Sequence, residues 1–129
     1  MFDWKKPTVQ MLGRWQPWHD GHQELFKRAI DKTGQVIIQV RDVHGASGGD
    51  GQDDNPFDWD AVCKNISDGL LNDDFQRGVH YEIMMVPNVV NITYGRGVGY
   101  KIEEIVLDQK TQQISATKIR EQMRKDGKL

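Results

Sequence analysis

Two histidines separated by two residues, in the tetrapeptide His19-Asp20-Gly21-His22, are the side chains of this sequence best suited to chemistry. They stand where a loop gives way to an apolar helical pattern, so both imidazoles can lie on the same side of a helix's first turn. Gly21 has no Cβ and lets a ligand approach the backbone. Because the free N–H groups of a first turn carry a partial positive charge, this arrangement indicates a phosphate site.

Simpler interpretations of these histidines are available. A single histidine at such a position more often caps the helix or is solvated. A metal site would need a third ligand at a suitable spacing, and no nearby residue supplies one, so two histidines alone support a metal only weakly. The phosphate interpretation therefore needs a second, independent motif.

Such a motif lies near the carboxyl terminus, where residues 114–120 read ISATKIR. Ser115 and Thr117 offer hydroxyls at the start of a predicted helix, where backbone N–H groups also donate. Arg120 follows one turn later and can fork onto phosphate oxygens. Taken alone the segment is weak support for a ligand site, since any serine at this position would cap a helix.

Strands and helices alternate along the chain and must position both motifs. Hydrophobic periodicity and turn residues predict strands over 8–13, 35–40, 79–86 and 89–94, helices from His22 to Thr33, from Asn55-Pro56 onward and from Ser115 to near Gly127, and an extended segment over 100–107. The stretch 42–55 is rich in Gly, Asp and Ser and is expected to be a mobile loop. The alternation predicts one α/β domain over 1–129, Rossmann-like, with a parallel sheet and helices on both faces. Ligands of such folds bind beyond the carboxyl ends of the strands.

Composition limits the partners and the compartment of the protein. The 129 residues suffice for a single core, and a net charge of -2 gives no electrostatic reason to expect nucleic acid or an anionic membrane as partner. Cys63 is the only cysteine, which excludes an internal disulfide and fits a reducing compartment. With no signal peptide and no bilayer-length apolar run, we expect a soluble, cytoplasmic protein.

The two motifs together resemble the signatures of the HxGH-type (cytidylyltransferase-like) nucleotidyltransferase superfamily, which has a (T/H)xGH loop after its first strand and an ISxTxIR-like segment opening a late helix. Residues 13–22, GRWQPWHDGH, are most similar to the GRFQPxHxGH loop of archaeal-type nicotinamide mononucleotide adenylyltransferases, and Asn55-Pro56-Phe57 resembles that group too. Glycerol-phosphate cytidylyltransferases show GTFDxxHxGH instead. The chain departs from the family at 94–99, YGRGVG, where a Gly-Asn or Gly-Asp motif and a helix are usual.

The resemblance implies an enzyme that transfers a nucleotidyl group, AMP from ATP, to a phosphorylated acceptor such as nicotinamide mononucleotide and releases pyrophosphate. It implies that His19 and His22 contact the α-phosphate, that Ser115, Thr117 and Arg120 hold the β- and γ-phosphates, and that Mg²⁺ bridges the triphosphate. The nucleotide-binding loop would comprise Gly13, Arg14, Trp15 and Gly21. Arg14 and Arg41 are further phosphate contacts by position alone, and each could equally be a surface charge.

Several alternatives stay open on sequence grounds. The chain could be a cytidylyltransferase acting on glycerol 3-phosphate or a similar phosphoalcohol. It could also be a nucleotide-binding module that has lost its acceptor site, because the family's helix after the fourth strand is missing or greatly shortened around 95–99. Trp15 and Trp18 could stack on a base or a nicotinamide ring, or could pack against the sheet. Homo-oligomerisation is also left open.

Overall fold

A sheet of three parallel strands, which lie side by side in chain order, forms the centre of the protein, in a computed structural model that describes residues 1–45, 54–97, 99–105, 107, 111 and 114–129. The elements in chain order are β1 (Val9–Gly13), α1 (Asp20–Thr33), β2 (Val36–Arg41), α2 (Trp59–Leu71), β3 (Tyr81–Val86) and α3 (Ala116–Lys125). No helix within these ranges is long and apolar enough to span a membrane. The predicted α/β class is confirmed, as are the first three strands and the last helix.

One face of the sheet carries the core. Val36 of β2 is in register with Val9 of β1 and Tyr81 of β3, and the alternate residues Ile38 and Ile83 continue the same face. The apolar stripes of α1 and α2 pack with these strand residues in one cluster of buried side chains, which includes Phe26, Ala29, Ile30, Val62, Ile66 and Leu70. α1 connects β1 to β2, and α2 connects β2 to β3, so both connections advance in the same direction across the sheet. Right-handed connections that advance in one direction place their helices on the same face.

The opposite face of the sheet is only partly covered. Leu12, Ile37 and Gln39 are half-buried there, and Gln10 and Met84 are exposed. α1 and α2 therefore lie on the same face of the sheet, so these two helices do not by themselves cover both faces.

The predicted fourth strand is not formed. Residues 89–94 lie outside any strand, and Val90, Ile92 and Tyr94 are 83%, 57% and 53% exposed. The strand prediction rested on β-branched and aromatic residues, but a strand also needs a hydrogen-bonded neighbour, and this segment has none in the sheet. Tyr100 and Ile102, in the segment predicted to be extended, are exposed as well.

Two helix starts differ from the sequence prediction. The first helix begins at Asp20 rather than His22, because His19 is its N-cap. The second begins at Trp59, where the Asp58 carboxylate accepts a hydrogen bond from the Ala61 N–H at 2.9 Å. Asn55, the predicted cap, is instead buried four residues before that start. Of the predicted loop over 42–55, residues 46–53 lie outside the described residues.

Candidate functional site

The two histidine rings stack at the start of α1, with centroids 3.6 Å apart and planes 16° from parallel. His19 is the N-cap, and its Nδ1 accepts from the N–H groups of Gly21 at 3.0 Å and of His22 at 3.4 Å. In return, Nδ1 of His22 accepts from the His19 N–H at 3.2 Å. The pair forms a reciprocal capping box in which imidazoles replace the usual hydroxyl and carboxylate.

This capping determines the protonation of both rings. Since each Nδ1 accepts a hydrogen bond, the proton of the neutral ring must sit on Nε2. Burial, and to a smaller extent the neighbouring His19, lowers the pKa of His22 to about 3. Burial also lowers the pKa of His19, against an opposing effect of Asp20. At neutral pH the site therefore presents two uncharged rings with Nε2–H donors.

The first-turn amides play a different part from the one expected. Those of Gly21 and His22 donate to the His19 ring, so a phosphate would not find these two N–H groups free. A ligand at this end of α1 would meet imidazole N–H groups instead. The prediction that both histidines share one side of the first turn is confirmed, and so is the simpler interpretation that one of them caps the helix.

Gly21 is required by the His19 ring. A Cβ at this position would lie 2.8 Å from the Cε1 atom and 3.0 Å from the Nδ1 atom of His19. The space that was expected to admit a ligand to the backbone is thus occupied by a site side chain. Gly13 has a similar relation to Trp15, whose indole carbon Cζ2 would lie 2.8 Å from an added Cβ.

The rings of two buried tryptophans, Trp15 and Trp18, contact the His22 ring. The Trp15 ring stands edge-on to His22 at 4.8 Å, and the Trp18 ring lies 5.4 Å from it. Their indole N–H groups are held inside the protein, by the Gln39 carbonyl at 3.1 Å and the Gln23 side chain at 2.8 Å. Of the two interpretations, packing inside the protein is the one observed, with Trp15 bonded to β2 and Trp18 bonded to α1.

Trp15 also has a left-handed backbone, with φ of 55°. This conformation costs a bulky residue about 1–2 kcal/mol. It persists only where surrounding contacts hold it, and such strain concentrates at functional loops. The strained residue here lies between Gly13, at the end of β1, and the histidine pair.

The carboxyl-terminal motif meets this loop through Arg120. Its side chain is 2% exposed, and Nη1 donates to the Gln16 carbonyl at 2.6 Å, across 104 residues of sequence. Nη2 donates to the Thr117 hydroxyl at 3.3 Å and lies 3.8 Å from the Asp54 carboxylate. Ser115 caps α3 by accepting from the Lys118 N–H at 3.4 Å. The structure thus brings the two sequence motifs together.

Arg14 and Arg41, which were predicted to contact phosphate from their positions alone, contact different residues. Arg14 is exposed, and its Nη1 donates to the buried Asn55 side chain at 3.3 Å. Arg41, the last residue of β2, donates to the Asn88 side-chain oxygen at 2.6 and 3.2 Å. Arg41 also lines a cavity of about 420 Å³ at the carboxyl ends of β1 and β2, together with Leu12, Val89, Val90, Asn91 and Ile92.

Sequence reasoning missed the buried amides that hold the site together. Gln16 is 4% exposed and Asn55 also 4%, and both join the loop after β1 to the segment before α2. The one sequence feature that could have indicated a buried Gln16 is its position between Trp15, Pro17 and Trp18, in a loop whose function was assigned to its histidines. Nothing in the spacing of Gln16 indicates which backbone it would bind.

Within the described ranges no group of three or more His, Cys, Asp or Glu residues could hold a metal ion. The donors of the site are imidazole N–H groups and hydroxyls, which suit phosphate oxygens better than cations. The Arg120 guanidinium, expected to contact phosphates, is instead buried in contacts with the protein itself. Comparison with protein-family models finds no match to the chain, and comparison with curated proteins finds none either.

Proposed function

We propose that this protein is a nucleotidyltransferase, which passes AMP from ATP to a phosphorylated acceptor such as nicotinamide mononucleotide and releases pyrophosphate. One observation carries the proposal: the HxGH loop and the ISATKIR segment, at opposite ends of the chain, are joined by the 2.6 Å hydrogen bond from Arg120 to the Gln16 carbonyl. The imidazole and hydroxyl donors of the two motifs are the kind that a triphosphate needs, and the buried Arg120 guanidinium ties the motifs together rather than reaching the phosphates itself.

In the proposed reaction a phosphate oxygen of the acceptor attacks the α-phosphorus in line. The new oxygen–phosphorus bond forms as the bond to the bridging oxygen of the β-phosphate breaks, and that oxygen leaves with pyrophosphate. Nε2–H groups of His19 and His22 donate to the α-phosphate oxygens, where negative charge rearranges in the transition state. Because the rings are already neutral and oriented, no proton has to move before they act.

The carboxyl-terminal motif is assigned to the leaving pyrophosphate. Thr117 is exposed at the first turn of α3, and its hydroxyl is oriented by the Arg120 guanidinium at 3.3 Å. Ser115 stands one residue before that helix, whose N-terminus favours negative charge. The substrate is the magnesium complex of the triphosphate, and an ion held by phosphate oxygens and waters needs few protein ligands.

Arg41 is the cation we assign to a substrate phosphate near the sheet. It stands at the carboxyl end of β2, the side of a parallel sheet where ligands bind. The adjoining cavity of about 420 Å³ is within the size range of small-ligand sites. Arg14, tied to Asn55 on the other side of the loop, is the second candidate for this role.

The decisive experiment is an assay of pyrophosphate release with Mg²⁺, in which ATP and CTP are tested separately. The acceptors are nicotinamide mononucleotide, glycerol 3-phosphate and phosphopantetheine. Release with ATP and one acceptor is the expected result and identifies that acceptor. Release with CTP would replace the adenylyl assignment by a cytidylyl one, and absence of release from every pair would contradict transfer to these acceptors.

A second candidate is a module that binds a nucleotide without transferring it. The observation in its favour is the exposed, strandless segment at 89–94, since the family's acceptor site uses the region that follows the fourth strand. Such a module would bind ATP with an affinity measurable by calorimetry and would release no pyrophosphate with any acceptor. The two candidates therefore give opposite results in the same assay.

A further inference from the structure

Gln16 makes a two-point contact with the backbone that precedes α2. Its side-chain Nε2 donates to the Phe57 carbonyl at 2.9 Å, and its Oε1 accepts from the Phe57 N–H at 2.9 Å. Asp58, the N-cap of α2, is the next residue along the chain. The Gln16 amide therefore holds the loop after β1 against the start of α2.

The main chain of the same residue is held from a third direction. Its carbonyl accepts the 2.6 Å hydrogen bond from the buried Arg120 of α3. Trp15 and Trp18, the two rings that contact His22, stand one residue before and two residues after Gln16. A displacement of Gln16 would thus move the surroundings of His22 directly.

We propose that Gln16 is the positioning residue of the site, which locks the histidine loop to α2 through its side chain and to α3 through its carbonyl. The catalytic part of this inference rests on the function proposed above. Gln16 touches no reacting atom in this role, because it acts by holding Trp15 and Trp18 under the imidazoles. A small misplacement of donors is costly for catalysis, since a shift of about 1 Å can lower turnover by about a hundredfold.

Burial makes this junction rigid. The buried amide pairs with both the N–H and the C=O of Phe57, so breaking the contact would leave buried polar groups unsatisfied on both sides at once. The Arg14–Asn55 hydrogen bond at 3.3 Å joins the same two segments on the exposed side. It is a single and longer contact, so it cannot replace the two bonds of Gln16.

The chain offers a control in Gln35. This residue is 5% exposed, and its amide contacts the Asp3 backbone at both of its ends, at 3.0 and 2.7 Å, and also donates to the Lys6 carbonyl at 3.4 Å and the Thr8 hydroxyl at 2.7 Å. It stands just before β2, at the opposite end of the sheet from the histidines. Gln16→Met and Gln35→Met each replace a buried amide by an apolar chain of similar length, so both should lower the melting temperature.

The two variants should differ in every property of the histidine site. For Gln16→Met we expect kcat to fall about tenfold or more with little change in the KM for the triphosphate, because the effect falls on transition-state geometry. For Gln35→Met both parameters should stay near their wild-type values. Equal losses of kcat in the two variants would mean that Gln16 acts only through stability, and this would overturn the proposal.

A measurement without turnover separates this inference from the proposed function. In wild type the His22 ring should show no titration between pH 7 and 5 by NMR, since its pKa is lowered to about 3. Gln16→Met should bring a His22 midpoint into that range by admitting water, while Gln35→Met should not. An unchanged His22 signal in Gln16→Met would refute the positioning role, whether or not the wild-type protein transfers nucleotides.

Gln16→Glu provides a conservative variant with a pH signature. The introduced carboxyl has the shape of the amide, but when ionised it can only accept, so it repels the Phe57 carbonyl. When protonated it can donate to that carbonyl and accept from the Phe57 N–H, as the amide does. The kcat of Gln16→Glu relative to wild type should therefore rise as pH falls, and a constant ratio would contradict the two-bond contact.

Discussion

At the scale of single residues, the absence of charge on the imidazoles determines how kcat should depend on pH. A ring whose pKa is lowered to about 3 stays an uncharged donor throughout the physiological range. Since no protonation of His22 intervenes, kcat should show no transition near pH 6.5 that depends on His22, and a limb at about pH 6 would belong to the acceptor phosphate. A pH–rate profile with a limb at 6.5 that disappears in a His22 variant would contradict this expectation.

The same lowered pKa makes the fold sensitive to acid. Below pH 6.5 the unfolded chain binds a proton at His22 that the folded protein does not, so stability rises with pH between about 3 and 6.5. Acidification through this window should lower the free energy of unfolding by up to about 1.4 kcal/mol per pH unit. Urea titrations at pH 7, 6 and 5 measure this slope, and His22→Gln should reduce it.

His22→Ala tests the proposed donor directly. Loss of one preorganised donor to a phosphate oxygen should lower kcat by roughly a hundredfold or more, about 3 kcal/mol of transition-state stabilisation. The control is His80→Ala, which removes an imidazole that accepts from the Gln76 N–H outside the site and should keep turnover. Circular dichroism verifies folding of both. Full turnover in folded His22→Ala would remove the histidine mechanism.

Gly21→Ala tests whether the His19 ring must lie over the helix backbone. The new methyl group would meet Cε1 of His19 at 2.8 Å, so the ring has to move. Alanine favours a helix over glycine by up to about 1 kcal/mol, which offsets part of the strain. We expect a variant that stays folded but loses turnover by about tenfold or more. Wild-type turnover would show that His19 tolerates displacement.

At the scale of secondary structure elements, Arg120 is the tie between α3 and the loop after β1. Arg120→Lys keeps the charge but loses the fork that reaches both the Gln16 carbonyl and the Thr117 hydroxyl. We expect a stability loss of about 1–3 kcal/mol, typical of a broken charge-assisted hydrogen bond, together with weaker triphosphate binding. Thermal unfolding and calorimetric titration with ATP measure the two effects.

A matched control for that substitution lies on α1. Arg28→Lys makes the same change at an exposed guanidinium, 3.9 Å from Glu24, where an ion pair contributes little. Its stability should change by less than about 0.5 kcal/mol. If Arg120→Lys behaved like Arg28→Lys in both measurements, the tie between α3 and the loop would have no energetic role.

At the scale of the whole molecule, the core lies between one face of the sheet and two helices, and the segment 89–94 stands outside it. Ile83 of β3 is 7% exposed, whereas Ile92 is 57% exposed. Ile83→Ala should therefore cost about 2–5 kcal/mol, and Ile92→Ala less than about 0.5 kcal/mol. Urea unfolding compares the pair. A cost of 2 kcal/mol or more at Ile92 would place 89–94 in the folded core, as a fourth strand would be.

The sequence by itself determined the parts of this protein that depend on local patterns. Hydrophobic periodicity predicted the first three strands, and Ser115 predicted the start of the last helix. The position of the histidine motif after the first strand predicted that it would lie at the carboxyl end of the sheet. It was correct that His19 and His22 lie on the same side of the first turn, because the side chains of an N-cap residue and of the third helical residue meet at a helix start.

Tertiary structure decided what depends on neighbours far along the chain. A strand requires a paired backbone, so the β-prone residues 89–94 could not establish one by composition alone. The low pKa of His22 comes chiefly from its burial in the folded protein, and no spacing in the sequence records burial. Arg120, predicted to bind phosphate oxygens, instead donates to the Gln16 carbonyl, 104 residues away in the sequence. Such contacts form only when the chain folds.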